Sequence, residues 1–269
     1  MSRPPVALTI AGSDPSGGAG IQADLKTFSA LGVYGTSVIT ALTAQNTTGV
    51  TGVHVVPAAF VLAQLETLVA DVALDAIKIG MLANAGIVGV VGDFLRAHPH
   101  EHVVLDPVMV ATSGDLLLED DAVSAVRDLL PLASLITPNL AEAAALLGTR
   151  PARTMADMRL HAMALQELGA TRVLIKGGHL HAGPEAVDLL LDVDGEALLR
   201  APRVDTLNTH GTGCTLSSAL AALRPQRDSW LEAALDAKSY LSAALAAADV
   251  LQIGHGHGPV HHFHQTWSH

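Results

Sequence analysis

Short apolar runs rich in branched residues alternate along this chain with longer helical patterns, and that alternation leaves few folds open. VALTIAGS (6–13) reads as a buried strand and GIQADLKTFSALG (20–32) as a helix. VYGTSVITAL (33–42) is a second strand, and TGVHVV (51–56) a weaker one. PAAFVLAQLETLVADV (57–72) has helical spacing and a proline in its first turn. AIKIGML, a helix from about Asn84 to His98, and VVLDPVM repeat the unit. A helix near 119–132, SLITPN, a short helix AEAAALLG, a longer one near 155–169 and RVLIKGG continue it. Apolar strands joined by crossover helices imply a parallel sheet covered on both faces. VDLLLDV and EALLRAP then read as a hairpin turning at Asp194-Gly195, and the last third is helical. No linker or internal repeat interrupts the pattern, so a single α/β domain over 1–269 is expected.

Composition narrows the partners. With 49% hydrophobic and 15% charged residues, the chain can bury a sizeable core. A net charge of −11 without any Lys/Arg cluster argues against nucleic acid. No apolar run reaches the roughly 18 to 20 residues of a membrane span. The start, MSRPPVALTIAGSD, is unlike a signal peptide, and the single cysteine suits a reducing cytoplasm. Lysine is scarce, so each one is informative.

Doubly wound sheets bind ligands at the carboxyl ends of their strands. Here those ends are Gly12-Ser13-Asp14, Gly80-Met81, Asp106-Pro107, Pro138-Asn139 and Lys176-Gly177-Gly178. GSDPSGGAG (12–20) lacks the lysine of a phosphate loop, since Gly18 stands in its place. What remains is a strand-to-helix turn whose amides can approach a ligand.

HGTGC (210–214) opens a helix and holds the only cysteine. Its glycines let successive N–H groups converge, and the helix dipole adds positive potential. Such a turn binds phosphate and is expected to lower the pKa of Cys214. The bland alternative is a small buried packing residue. Lys176, beside Gly177 and Gly178, suits a phosphate contact, against the plainer reading of a solvated lysine. Asp106 ends a strand, and Asn139 and Glu142 share a helix face, as water-mediated Mg²⁺ binding beside phosphates requires. The same two residues also fit a helix capping box. The tail GHGHGPVHHFHQTWSH is rich in histidine but lacks an ordered ligand spacing, so it reads as a packed glycine-rich tail and not a metal site.

Taken together, AGSDPSGGAGIQADLKTFSALGVYG, TALTAQNTTGV, KIGML, DPVMVATSGD, TPNLAEA, VLIKGGH, THGTGCTLSSA and GHGHGPV span nearly the whole chain. In that order they resemble the hydroxymethylpyrimidine/phosphomethylpyrimidine kinases of thiamin biosynthesis, in the ribokinase-like superfamily. The resemblance implies a mostly parallel sheet flanked by helices, ATP as donor, Mg²⁺, and a homodimer. It implies that Gly12, Asp24, Gln45, Met81 and Val108 line a pyrimidine pocket. Lys176 and the turn Gly211, Thr212, Gly213 and Cys214 would hold ATP phosphates, with Asp106, Asn139 and Glu142 organising the metal and its waters. Cys214 stands where most ribokinase relatives place an aspartate base. Thr112 departs from the lysine that relatives often carry in the VMVA-x-SG loop.

The residues themselves agree with this chemistry. Gln45 offers an acceptor and two donors, matching the ring nitrogen and amine of an aminopyrimidine. Phosphoryl transfer needs mainly positioning and charge stabilisation. The same pocket is expected to accept the monophosphate for a second transfer. The nearest rival is a pyridoxal kinase, which shares the fold. A nucleotide-binding module without catalysis and a cysteine hydrolase are more distant, and His210 is too near Cys214 in sequence to be a convincing hydrolase base.

Overall fold

The computed structural model describes residues 3–109, 122–178, 180 and 183–267. One nine-stranded sheet runs through it in the order β3-β2-β1-β4-β5-β6-β7-β8-β9. The strands are β1 (Val6–Ser13), β2 (Tyr34–Asn46), β3 (Gly49–Val55), β4 (Ala76–Ile79), β5 (Val103–Leu105), β6 (Leu135–Ile136), β7 (Val173–Ile175), β8 (Glu185–Asp192) and β9 (Gly195–Pro202). From β2 to β7 every neighbouring pair is parallel. The edges are antiparallel: β3 pairs with β2, and β8 and β9 fold back beside β7.

Alternation along each strand feeds two cores. Leu8, Ile10, Ile77, Ile79, Val103 and Leu105 face one layer, which is closed by α2 (Ala58–Val69), α3 (Ala85–Ala97), α4 (Ala122–Arg127), α5 (Leu140–Leu147) and α6 (Met155–Glu167). Ala7, Ala76, Val104, Leu135 and Leu174 face the other, closed by α1 (Gly20–Ala30), α7 (Thr212–Leu223) and α8 (Trp230–Ala246). The central strands are therefore apolar on both faces, as a parallel sheet requires. None of the described helices is long and apolar enough to cross a membrane.

Four of the helices start on a side-chain cap, α5 on Asn139 among them. Asn84 accepts from Ile87 N, Thr154 and Asp157 form a capping box, and Ser229 accepts from Glu232 N. The starts of α1 at Ala19 and of α7 at Gly211 have no side-chain cap. Their first-turn amides are left for something else.

Some elements differ from expectation. β2 runs on to Asn46 because the Thr47-Thr48 turn and β3 extend it as a hairpin, with Asn46 opposite Gly49. The β8–β9 turn falls one residue earlier, at Val193-Asp194, since Asp192 pairs with Gly195. The helix expected near 119–132 is α4 followed by a separate 3-10 turn at Leu130–Leu132, broken where Pro131 enters. Residues 119–121 and Thr112 lie outside the described residues.

Candidate active site

A cavity of about 700 Å³ opens at the carboxyl ends of the parallel strands. Gly12, Gln45, Met81, Val108, Asn139, Glu142, Lys176 and the Gly211–Cys214 turn all contribute to its wall. Strand ends from both halves of the sequence thus meet in one place. Gly12 is held small by Met81, whose sulfur would lie 3.1 Å from a Cβ at position 12.

Asp14 organises the glycine-rich turn after β1. Its carboxylate accepts from Ser16 N at 2.8 Å, Ser16 Oγ at 2.9 Å and Ala19 N at 2.9 Å. His210 Nε2 completes the set at 2.8 Å from Oδ2. Burial alone would raise the Asp14 pKa, but the bonds from His210 and Ser16 outweigh it and hold the carboxyl below its ordinary range. The Ser16 and Ala19 amides are spent on Asp14, while Gly12 and Gly20 of the same turn line the cavity. The Lys26 ammonium closes the loop by donating to Gly17 O at 2.7 Å.

The uncapped starts of α1 and α7 both border the cavity. Gly211 adopts φ +78, a left-handed conformation that turns the chain into α7. Thr212 Oγ1 donates to Thr209 O at 2.6 Å and locks the turn. Cys214 sits half-buried in the first turn of α7. Its thiol is not acidified. Burial pushes it up to about 11, Asp24 and Asp106 add to the rise, and Lys78 and the Gly20 amide only partly offset them. This corrects the expected lowering, because burial of the thiol, with Asp24 and Asp106 adding to it, outweighs Lys78 and the helix start.

Lys176 ends β7 beneath this turn. Its Nζ lies 2.7 Å from Asp106 Oδ1 and 3.6 Å from Glu142 Oε2. Burial disfavours both charges, yet the flanking carboxylates raise Lys176 and the lysines hold Asp106 low. Thr137 and Ser217 hydroxyls also donate to Asp106, at 3.2 and 3.1 Å. Glu142 is pushed up to about 7, chiefly by burial. Asn139 Oδ1 accepts from Ala141 N and Glu142 N, while Glu142 Oε2 accepts from Asn139 N at 2.7 Å. The capping box is therefore real, and it aims both residues at the cavity. Asp106 and Glu142 give oxygen donors of the kind Mg²⁺ takes. Among the described residues no group of three His, Cys, Asp or Glu side chains could hold an ion. Mg²⁺ would have to share phosphate and water oxygens with these two carboxylates.

Asp24 is not on the pocket wall. It is wholly buried one layer behind, accepting from Thr9 Oγ1 at 2.6 Å, Ser218 Oγ at 2.6 Å and Lys78 Nζ at 2.9 and 3.0 Å. Its partner Lys78, from β4, is equally buried and lies between Asp24 and the cavity wall. Lys238, on α8, also reaches the cavity and pairs with Asp188 at 2.7 Å. Asp188 in turn accepts from Gly177 N at 2.9 Å and so holds the Lys176-Gly177 strand end. The chain has only four lysines, Lys26, Lys78, Lys176 and Lys238, and all of them end at this site or its loops. Their scarcity was the signal for Lys78, which opens the KIGML stretch, and for Lys238, which sits in no motif. His210 contributes a further wall residue, 3.5 Å from Gln45 Nε2.

The family model described as phosphomethylpyrimidine kinase matches residues 14–261. A hydroxymethylpyrimidine/phosphomethylpyrimidine kinase of Salmonella typhimurium is 58% identical over 97% of this chain and 98% of its own length. Its Escherichia coli counterpart is 57% identical over the same shares. Among solved structures, an ADP complex of a Bacillus subtilis pyridoxal kinase superposes with a TM-score of 0.89 at 37% identity, covering 97% of this chain and 98% of that one. The fold is ribokinase-like, and the chain belongs to the hydroxymethylpyrimidine/phosphomethylpyrimidine kinase family.

Proposed function

We propose that this protein transfers phosphate from ATP to the hydroxymethyl group of an aminopyrimidine, and then to the resulting monophosphate, in one cavity. The observation that carries the reading is the junction of Gln45, His210 and the Cys214 turn. Gln45 Nε2 stands 3.5 Å from His210 Nε2, and His210 leads directly into the uncapped start of α7. A side chain suited to a pyrimidine edge is thereby placed beside a turn suited to phosphate.

In this reading Gly12, Met81 and Val108 pack the ring, and Gln45 hydrogen-bonds its polar edge. The α7 amides, Lys176 and Lys238 hold the transferring phosphates, and the apolar side chains of Val204, Leu241 and Leu245 cover the nucleotide base. Cys214 takes the hydroxymethyl proton. Its thiol is neutral at ordinary pH, so only the small deprotonated fraction accepts that proton, and kcat/KM rises toward alkaline pH. Asp106 and Glu142 would hold Mg²⁺, which would supply neutralisation of the phosphate charge. The whole chain acts as one kinase domain in the cytoplasm. A homodimer is supported by exposed Leu42, Val53, Phe60 and Leu62 on the β2–β3 edge and the neighbouring α2.

Steady-state assays with hydroxymethylpyrimidine and with pyridoxal test the substrate. The aminopyrimidine should have the higher kcat/KM, and Gln45→Leu should raise its KM by about tenfold or more, because buried ring atoms lose their partners. A preference for pyridoxal that survives Gln45→Leu would sink the assignment in favour of the rival vitamin kinase.

A further inference from the structure

The glycines of the C-terminal GHGHGPV run have a steric cause. A Cβ at Gly254, which adopts φ +75, would lie 2.2 Å from Thr47 Oγ1. At Gly256 it would lie 2.1 Å from Thr47 O, and at Gly258 2.1 Å from Asn208 Oδ1. The chain therefore passes between the tip of the β2–β3 hairpin and the loop before His210, with no room for a methyl group on either side.

Hydrogen bonds tie it to both. Gly256 N donates to Thr47 Oγ1 at 3.2 Å and His257 N to Thr47 O at 2.9 Å. On the other flank His210 N donates to Gly258 O at 3.0 Å, and the His257 ring meets Leu207 O at 3.1 Å. Farther on, the Tyr240 hydroxyl donates to His262 O at 2.7 Å, and the buried His262 ring meets Thr215 Oγ1 at 3.1 Å. Thr47 follows Gln45 on the hairpin, while His210 and Thr215 flank the Cys214 turn.

We infer that residues 254–262 form a brace that fixes the separation between Gln45 and the Cys214 turn, with Thr47, Gly256 and Gly258 as positioning residues for the pyrimidine. The inference rests on the assignment of Gln45 as a pyrimidine contact. A segment that merely completed the core would affect stability without distinguishing one substrate from the other. A brace acts on the substrate that bridges its two ends.

The test is a pair of steady-state titrations, one for each substrate, on wild type, Thr47→Val, Thr47→Ser and Gly256→Ala, with Gln45→Leu as control. Valine keeps the shape of Thr47 but removes the acceptor for Gly256 N. Thr47→Val should raise the pyrimidine KM about three- to tenfold, the scale of one lost hydrogen bond, and leave the ATP KM within about twofold. Thr47→Ser should restore the wild-type value, and Gly256→Ala should exceed Thr47→Val. If Gly256→Ala does not fold, Thr47→Val and Thr47→Ser still decide. The brace is overturned if both KM values move together, or if neither moves in folded Thr47→Val while Gln45→Leu still weakens the pyrimidine. An unmoved pyrimidine KM in Gln45→Leu overturns the pocket assignment itself and the brace with it.

Discussion

Gly211 and Gly18 meet through bare backbone: a Cβ at position 211 would lie 1.8 Å from the Gly18 carbonyl oxygen. This contact seats the turn before α7 on the glycine loop after β1, and the His210–Asp14 bond at 2.8 Å clamps the same joint. Gly211→Ala meets both left-handed strain and a clash with backbone, together about 3 kcal/mol or more. Urea denaturation should show a loss of that size, with kcat falling as the turn shifts. Unchanged stability would mean that the two loops are not docked in this way.

Asp24 distinguishes a pocket residue from a buried partner. Asp24→Asn leaves the Lys78 ammonium buried without its anion, and breaking such a pair costs about 3–5 kcal/mol. A drop of that order in unfolding free energy, with little change in pyrimidine KM for the folded fraction, is the expected result. A raised KM at full stability would return Asp24 to the pocket wall.

Lys176 should separate the two substrates in the opposite sense to Gln45. Lys176→Ala removes a charge-assisted phosphate contact, so the ATP KM should rise about tenfold or more while pyrimidine binding is nearly kept. If nucleotide kinetics were untouched, Lys176 would be only the structural partner of Asp106.

His262 gives a pH dependence. Burial, reinforced by the charges of Lys26, His261 and His264, lowers it from 6.5 to about 3 in the folded protein. The unfolded chain therefore binds a proton below pH 6.5 that the folded chain refuses. The stability His262 contributes is full above 6.5 and is lost as pH falls through the window from 6.5 to about 3. His262→Gln, which does not titrate, should flatten the acid limb of the stability curve across that window. Thermal unfolding at stepped pH reads this directly, and an unchanged slope would show that His262 is not buried neutral.

Most of the fold was legible because parallel strands buried on both faces must be apolar runs, and β1, β4, β5 and β7 are. The polar strand ends likewise pointed to Gly12, Asp106, Asn139 and Lys176. The long β2–β3 hairpin was less visible, since its outer half is exposed and carries little apolar period. The Cys214 protonation state could not be read locally. Its helix start argues for an acidic thiol, but the burial that reverses this, and the Asp24 and Asp106 that add to it, come from distant segments. The partners of Lys78 and Lys238 were hidden for the same reason: Asp24 and Asp188 are remote from them in sequence. The C-terminal glycines had no local meaning until Thr47 and Asn208 were seen against them.

In the proposed function one site, built around Cys214, carries out both transfers. This is tested most directly by a time course that resolves the mono- and diphosphate of the pyrimidine, run on wild type and Cys214→Ser with ATP and Mg²⁺. Wild type should form monophosphate first and diphosphate from it. In Cys214→Ser both rates should fall in parallel by about 10²-fold, the scale of losing a general base, with residual turnover from the α7 amides and Lys176. A variant that kept either product at the wild-type rate would contradict a single shared site.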